Sequence, residues 1–112
     1  MENTYRSSRD VILRTSQWNQ ARQFYEGVLG FKVSAETETI FRVETGAIRL
    51  FVEEGNPHGP VFDFLVGDVQ AAKRQLLAAG CVLVEEDPSI PRCYVRDPYG
   101  LVLNLGRTAT PE

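Results

Sequence analysis

A chain of 112 residues suffices for one domain, or for two small half-modules that share a core. A hydrophobic fraction of 43% and a charged fraction of 24% exclude a disordered or fibrous protein, and no apolar run reaches the roughly 18 residues of a membrane span. The net charge of −3 argues against general nucleic-acid binding, which needs a basic face.

The first ten residues are polar and carry both charge signs, unlike a secretory signal. There is one histidine, His58, so no single-chain site built on two or three histidines can form. The two cysteines, Cys81 and Cys93, are too few for a disulfide scaffold and fit the free thiols of a cytoplasmic protein.

Taken in chain order, the elements repeat. Val11, Leu13 and Thr15 alternate with Asp10, Ile12 and Arg14, the period-2 pattern of a half-buried strand. Trp18, Ala21, Tyr25 and Val28 then recur at helical spacing, with Ser16 as the expected cap and Gly30 as the stop. Strands follow at about 31–35, 39–44 and 47–53, the last two joined by a tight Thr45-Gly46 turn. A turn-rich segment, 55–60, reads as a linker. The second half repeats the order. Phe62 and Phe64 stand 51 residues after Val11 and Leu13, and Asp68 sits where a capping carboxylate belongs. A helical stripe of Val69, Ala72, Leu76 and Ala79 stops at Gly80, only 50 residues after Gly30, so the second helix is one residue shorter. Strands at about 81–85, 92–96 and 101–106 complete it, the last two around the turn Asp97-Pro98-Tyr99-Gly100.

Each half is thus strand–helix–strand–strand–strand, with module one at 9–54 and module two at 61–107. One sheet face is covered by the helix, and the other must find cover from the second module, a second chain or a ligand. A two-residue turn at Thr45-Gly46 sets Arg42 opposite Arg49 on that second face, beside Ile40, Phe51 and Glu53. Alternation adds Asp10, Ile12, Arg14, Val61, Asp63, Arg92, Tyr94, Arg96 and Asn104. The face therefore mixes arginines, carboxylates and aromatics, as a ligand cleft or a dimer seam would.

The run Asp10-Val11-Ile12-Leu13-Arg14-Thr15 with Phe24-Tyr25 and Val28-Leu29-Gly30-Phe31 resembles the opening of the vicinal oxygen chelate superfamily. Val66-Gly67-Asp68-Val69, Leu77-Ala78-Ala79-Gly80 and Arg96-Asp97-Pro98-Tyr99-Gly100-Leu101 resemble its second half. The superfamily includes glyoxalase I, bleomycin and fosfomycin resistance proteins and extradiol dioxygenases. The resemblance implies an α+β fold of two tandem βαβββ modules. It further implies a curved, incompletely closed mixed β-sheet barrel with a cleft, helices on the outer face. In the family's metalloenzymes four positions hold the metal, and carried onto this chain they are Asp10, Arg49, Val61 and Asn104. Val61 has no donor atom and Arg49 is a cation without a lone pair, so no metal and no other cofactor is expected. Strand adjacency predicts instead that Asp10 and Arg49 pair with each other.

The resemblance is nearest to the metal-free bleomycin resistance branch. It implies a cytoplasmic homodimer that binds a small molecule in a cleft, with Arg14, Arg42, Arg49, Phe51, Asp63, Arg92 and Tyr94 as candidate contacts. A glyoxalase-like lyase or isomerase with an altered site, and an inert dimeric interaction protein, are the alternatives. Partners in nucleic acid or membrane are not expected.

Overall fold

The computed structural model describes residues 4–108. It is α+β, with strands β1 (Arg6–Thr15), β2 (Lys32–Glu36), β3 (Ile40–Glu44), β4 (Arg49–Glu54), β5 (His58–Val66), β6 (Val82–Asp87), β7 (Arg92–Arg96) and β8 (Val102–Arg107). Helix α1 (Trp18–Arg22) runs on as a π-helical stretch, Gln23–Val28, and α2 spans Val69–Ala78. The chain divides into two compact units, Arg9–Pro60 and the described residues 4–8 with 61–108. No described helix is long and apolar enough to cross a membrane.

In the first unit the strand order is β2-β3-β4-β1, with β1 parallel to β4 and the other pairs antiparallel. Phe41, Val43 and Val52 are fully buried under Trp18, Ala21, Tyr25, Phe31 and Val33. Trp18 meets Phe41 edge-on at 5.4 Å between centroids, and its indole N–H donates to the Val52 carbonyl at 3.0 Å. The half-buried indole therefore keeps a partner for its only polar atom.

The helix differs from its predicted form at both ends. Gln17, not Ser16, flanks its start and caps nothing through its side chain. The Thr15 hydroxyl accepts from the Gln17 backbone N–H at 3.0 Å, so a hydroxyl one residue earlier orders this entry. Towards its end the ladder widens: Leu29 N–H donates to Phe24 O, and Phe31 N–H to Tyr25 O, both at 3.0 Å. This π geometry accommodates the residue by which the first helix exceeds the second. It also turns Val28 out of the expected apolar stripe, to 72% exposure.

The β3–β4 hairpin closes through four residues, Thr45 to Ile48, rather than two. Thr45 donates its backbone N–H and its hydroxyl to the Ile48 carbonyl at 3.0 and 2.8 Å. Arg9 adds bonds to the Gly46 and Ala47 carbonyls, each 3.2 Å. The pairing consequently slips by two residues: Arg42 lies opposite Phe51, and Arg49 opposite Glu44. A slip of two preserves the faces, so Phe41, Val43, Leu50 and Val52 still meet the helix, while Ile48 leaves the strand. The opposed arginines predicted from the shorter turn do not occur.

In the second unit the order is β5-β8-β7-β6, with β5 parallel to β8. Val66, Ala72, Cys93, Val95, Leu103 and Leu105 form the core, with Tyr5, Phe64, Val69, Leu76 and Cys81 against it. Asp68 caps α2 as predicted, accepting from the Ala71 N–H at 3.0 Å. The turn into β8 is held by Asp97, whose Oδ1 accepts from the N–H groups of Tyr99 and Leu101 at 2.8 and 2.9 Å. Gly100 follows at φ 109°, where a side chain would be strained. β5 begins at His58, inside the stretch that reads as a linker in the sequence, so His58 is a half-buried strand residue and not an exposed loop one.

Candidate functional site

The sheet face turned away from the helix in the first unit is a small lattice. Strand register sets three cross-strand rows: Asp10–Arg49–Glu44, Ile12–Phe51–Arg42 and Arg14–Glu53–Ile40. Every arginine in it meets a carboxylate. Arg49 Nε donates to Asp10 Oδ1 at 2.7 Å, the ion pair that strand adjacency predicts. Arg14 Nε donates to Glu53 Oε1 at 3.2 Å. Arg42 Nε donates to Ser34 Oγ at 2.9 Å, stands 3.9 Å from Glu44 Oε2, and has its guanidinium carbon 5.8 Å from the Phe51 ring centre. Desolvation raises the Glu44 carboxyl, but hydrogen bonds from Ser34 and Arg9, with the charges of Arg9 and Arg42, outweigh it and leave Glu44 below its ordinary value.

The face is therefore a neutralised one. Its middle row, Ile12–Phe51–Arg42, is the least polar and holds its aromatic ring under a cation. Rows of paired charge bracket it on both sides.

The second unit's corresponding face carries one row across all four strands: Asp63, Asn104, Tyr94 and Glu85. Asp63 Oδ1 accepts from Asn104 Nδ2 at 2.9 Å, and its Oδ2 accepts from the Ser8 hydroxyl at 2.9 Å. Asn104 Oδ1 accepts from the Cys93 N–H at 2.9 Å. Arg92 Nη1 donates to Glu85 Oε2 at 2.9 Å, and its guanidinium lies 4.9 Å from the Tyr94 ring centre. Tyr94 is only 2% exposed, so its ring is already stacked and covered rather than presented to a ligand.

The four positions that the metalloenzyme resemblance implies do not make a metal site here. Asp10 is engaged by the Arg49 guanidinium, which has no lone pair. Val61 is 1% exposed hydrocarbon. The register sets Asp63, two residues on, beside Asn104, and those two side chains bond each other. Among the described residues no group of three or more His, Cys, Asp or Glu side chains is placed to hold an ion. The donor set thus does not fit a catalytic divalent metal.

Both thiols are free. Burial pushes the Cys93 thiol up, the Glu86 carboxylate adds to this, and the Lys73 ammonium partly opposes it. Burial likewise raises Cys81, with a smaller contribution from Asp97. Raised thiols are poor nucleophiles at neutral pH.

Strand reasoning from the sequence predicts the Asp10–Arg49 pair, but not Glu53, Glu44 and Glu85 as the partners of Arg14, Arg42 and Arg92. Glu44 follows Arg42 by two and so shares its face, a signal readable from alternation, but the four-residue turn is what sets it across from Arg49. Glu85, Ser8 and Gly106 carry no local signal, because a bulge between Leu83 and Glu85 and an unexpectedly early start of β1 bring the first two in. Gly106 lies beneath Asp63: a Cβ there would stand 3.0 Å from Asp63 Oδ1.

A family model described as the glyoxalase/bleomycin resistance protein/dioxygenase superfamily matches residues 9–105. No curated protein matches the sequence significantly. Among solved structures, homoprotocatechuate 2,3-dioxygenase from Brevibacterium fuscum is similar at 21% identity and TM-score 0.67, over 95% of this chain and 37% of that one. The Mn(II)-bound glyoxalase from Novosphingobium aromaticivorans is similar at 15% identity and TM-score 0.66, over 95% of this chain and 40% of that one. A hypothetical protein from Bacillus halodurans C-125 is similar at 11% identity and TM-score 0.68, over 100% and 99% of the two chains. The chain thus spans well under half the length of the two enzymes, and these likenesses are likenesses of fold.

Proposed function

The chain belongs to the glyoxalase/bleomycin resistance protein/dioxygenase superfamily, and from that premise we propose that it is a metal-independent small-molecule binding protein. The observation that carries this reading is the Asp10–Arg49 ion pair at 2.7 Å, which fills two family metal positions with a guanidinium–carboxylate bond. A guanidinium there repels a divalent cation and removes the one carboxylate that could bind it. What survives on the first unit's face is a surface suited to holding an amphipathic molecule: Phe51 with Ile12 for apolar contact, bracketed by Arg14, Arg42 and Arg49 in fixed pairs with carboxylates; the second unit's face separately offers Asp63, Arg92 and Tyr94. The reading includes homodimer formation, which light scattering of the purified protein tests directly.

The main test is metal analysis joined to a thermal-shift screen. The protein is purified without added metal, analysed for transition metals, then titrated with Mn(II), Fe(II) and Zn(II). The expected result is sub-stoichiometric metal, no stabilisation by any of the three ions, and stabilisation by at least one small organic molecule. A stoichiometric bound ion, or a saturable rise in melting temperature with Mn(II), would overturn the reading.

A further inference from the structure

Asp63 differs from the other carboxylates of the two faces. Asp10, Glu44, Glu53 and Glu85 each meet an arginine. Asp63 is half-buried, and among the described residues no cation pairs with it. Its two donors are neutral, the Ser8 hydroxyl and the Asn104 amide. Arg92, on the same face, is already bound to Glu85 and stacked on Tyr94. Arg96, farther along β7, is exposed and makes no ion pair with Asp63.

The carboxylate is nonetheless held firmly in place. Each oxygen takes one hydrogen bond, which fixes the plane of the group and leaves about two of its roughly four lone-pair positions open. Asn104 cannot swing away, because its own oxygen is tied to the Cys93 N–H. Gly106 keeps clear the space into which any other residue's Cβ would press. A half-buried carboxylate is costly to leave without a counter-charge, yet this one is oriented by three surrounding residues.

We infer that Asp63 is the counter-ion for a ligand ammonium group, so that the molecule bound by this protein is a cation, an amine carried on an apolar or aromatic body. The inference rests on the binding reading above. It also reverses what a count of arginines suggests, since those on the two faces that reading invokes, Arg14, Arg42, Arg49 and Arg92, already meet carboxylates. The amine would donate to the open positions of Asp63, a charge-assisted bond stronger than the neutral bonds it now accepts.

Three probes of one shape separate charge from fit: benzylammonium, benzyl alcohol and benzoate. Each is titrated into the protein by NMR, with the backbone resonances of Asp63, Asn104 and Gly106 followed. Benzylammonium is expected to bind about tenfold more tightly than benzyl alcohol, and benzoate more weakly than either. Asp63→Asn, which keeps the shape and the bond from Asn104 while the Ser8 hydroxyl turns to accept instead of donate, should abolish the preference for benzylammonium. Glu38→Gln makes the same charge change in the exposed β2–β3 loop of the first unit and should leave the preference intact. If benzyl alcohol binds as well as benzylammonium, or Asp63→Asn retains the preference, the inference fails while the binding reading stands. If none of the three shifts those resonances, the inference fails as well, and the metal and thermal-shift experiment alone decides the broader reading. The comparison of probes on the unmodified protein needs no variant to fold.

Discussion

The Asp10–Arg49 bond should act as a strut between β1 and β4, and a double-mutant cycle measures it. The contact is 2.7 Å, with the two side chains 21% and 32% exposed. Opposite charges whose centres lie about 4 Å apart attract by about 4 kcal/mol at an effective dielectric of 20, and by about 1 kcal/mol in bulk water. Partial exposure places this pair between those limits. Solvent screening and the side-chain entropy of holding Arg49 reduce the net coupling further, to about 1–2 kcal/mol. Asp10→Asn, Arg49→Gln and the double variant are compared by urea denaturation, and the coupling is the departure from additivity. The coupling should shrink at 1 M salt, where the screening length falls to about 3 Å. A coupling under about 0.3 kcal/mol would show that the strands do not depend on the pair. In that case the pair would not hold Asp10 away from a metal ion.

Gly55→Ala should destabilise by about 1–2 kcal/mol, because the new Cβ would stand 2.8 Å from Cδ of Arg14 and disturb its bond to Glu53. Arg14→Ala in the same chain should recover part of that loss, and an additive double variant would refute the clash. Glu44, held below its ordinary value of 4.5, contributes stability that is fully present above that pH and lost as the pH falls through the lower folded value. Glu44→Gln should accordingly show a shallower loss of stability on acidification, read from urea midpoints across the acid range. Cys93, buried and raised, should resist iodoacetamide at neutral pH in the folded protein and react only after unfolding, as mass spectrometry would record. Native-state labelling at the rate of a free thiol would contradict its burial.

The strands and their faces were legible because period-2 alternation survives small errors in register. Phe41, Val43, Leu50 and Val52 fall on the helix side with a two-residue or a four-residue turn alike. The site was less legible for the same reason. Which residue sits directly across from Arg49 depends on loop length, and the bond that sets it, from Thr45 to the Ile48 carbonyl, has no strong sequence mark. The Asp63–Asn104 pair was hidden similarly, since the family resemblance implies Val61 beside Asn104 while the parallel register of β5 and β8 sets Asp63 there. Tyr94 lies in the cross-strand row that alternation expects, with the Arg92 guanidinium over its ring. Alternation tells which side a ring is on, not whether an arginine already lies over it.

The π-helical stretch at Gln23–Val28 works as an expansion joint. In an ordinary α-helix an inserted residue rotates everything after it by about 100°, which would drag Phe31 and Val33 off the core they now cover. Here the extra residue is taken up within one wide turn, and Val28, the stripe residue inside it, is the most exposed apolar side chain of that turn. Two helix-to-strand segments of similar pattern can therefore differ in length and still deliver the next strand in phase. Any comparison of the halves at a single fixed offset will lose step at that turn, although the chain itself does not.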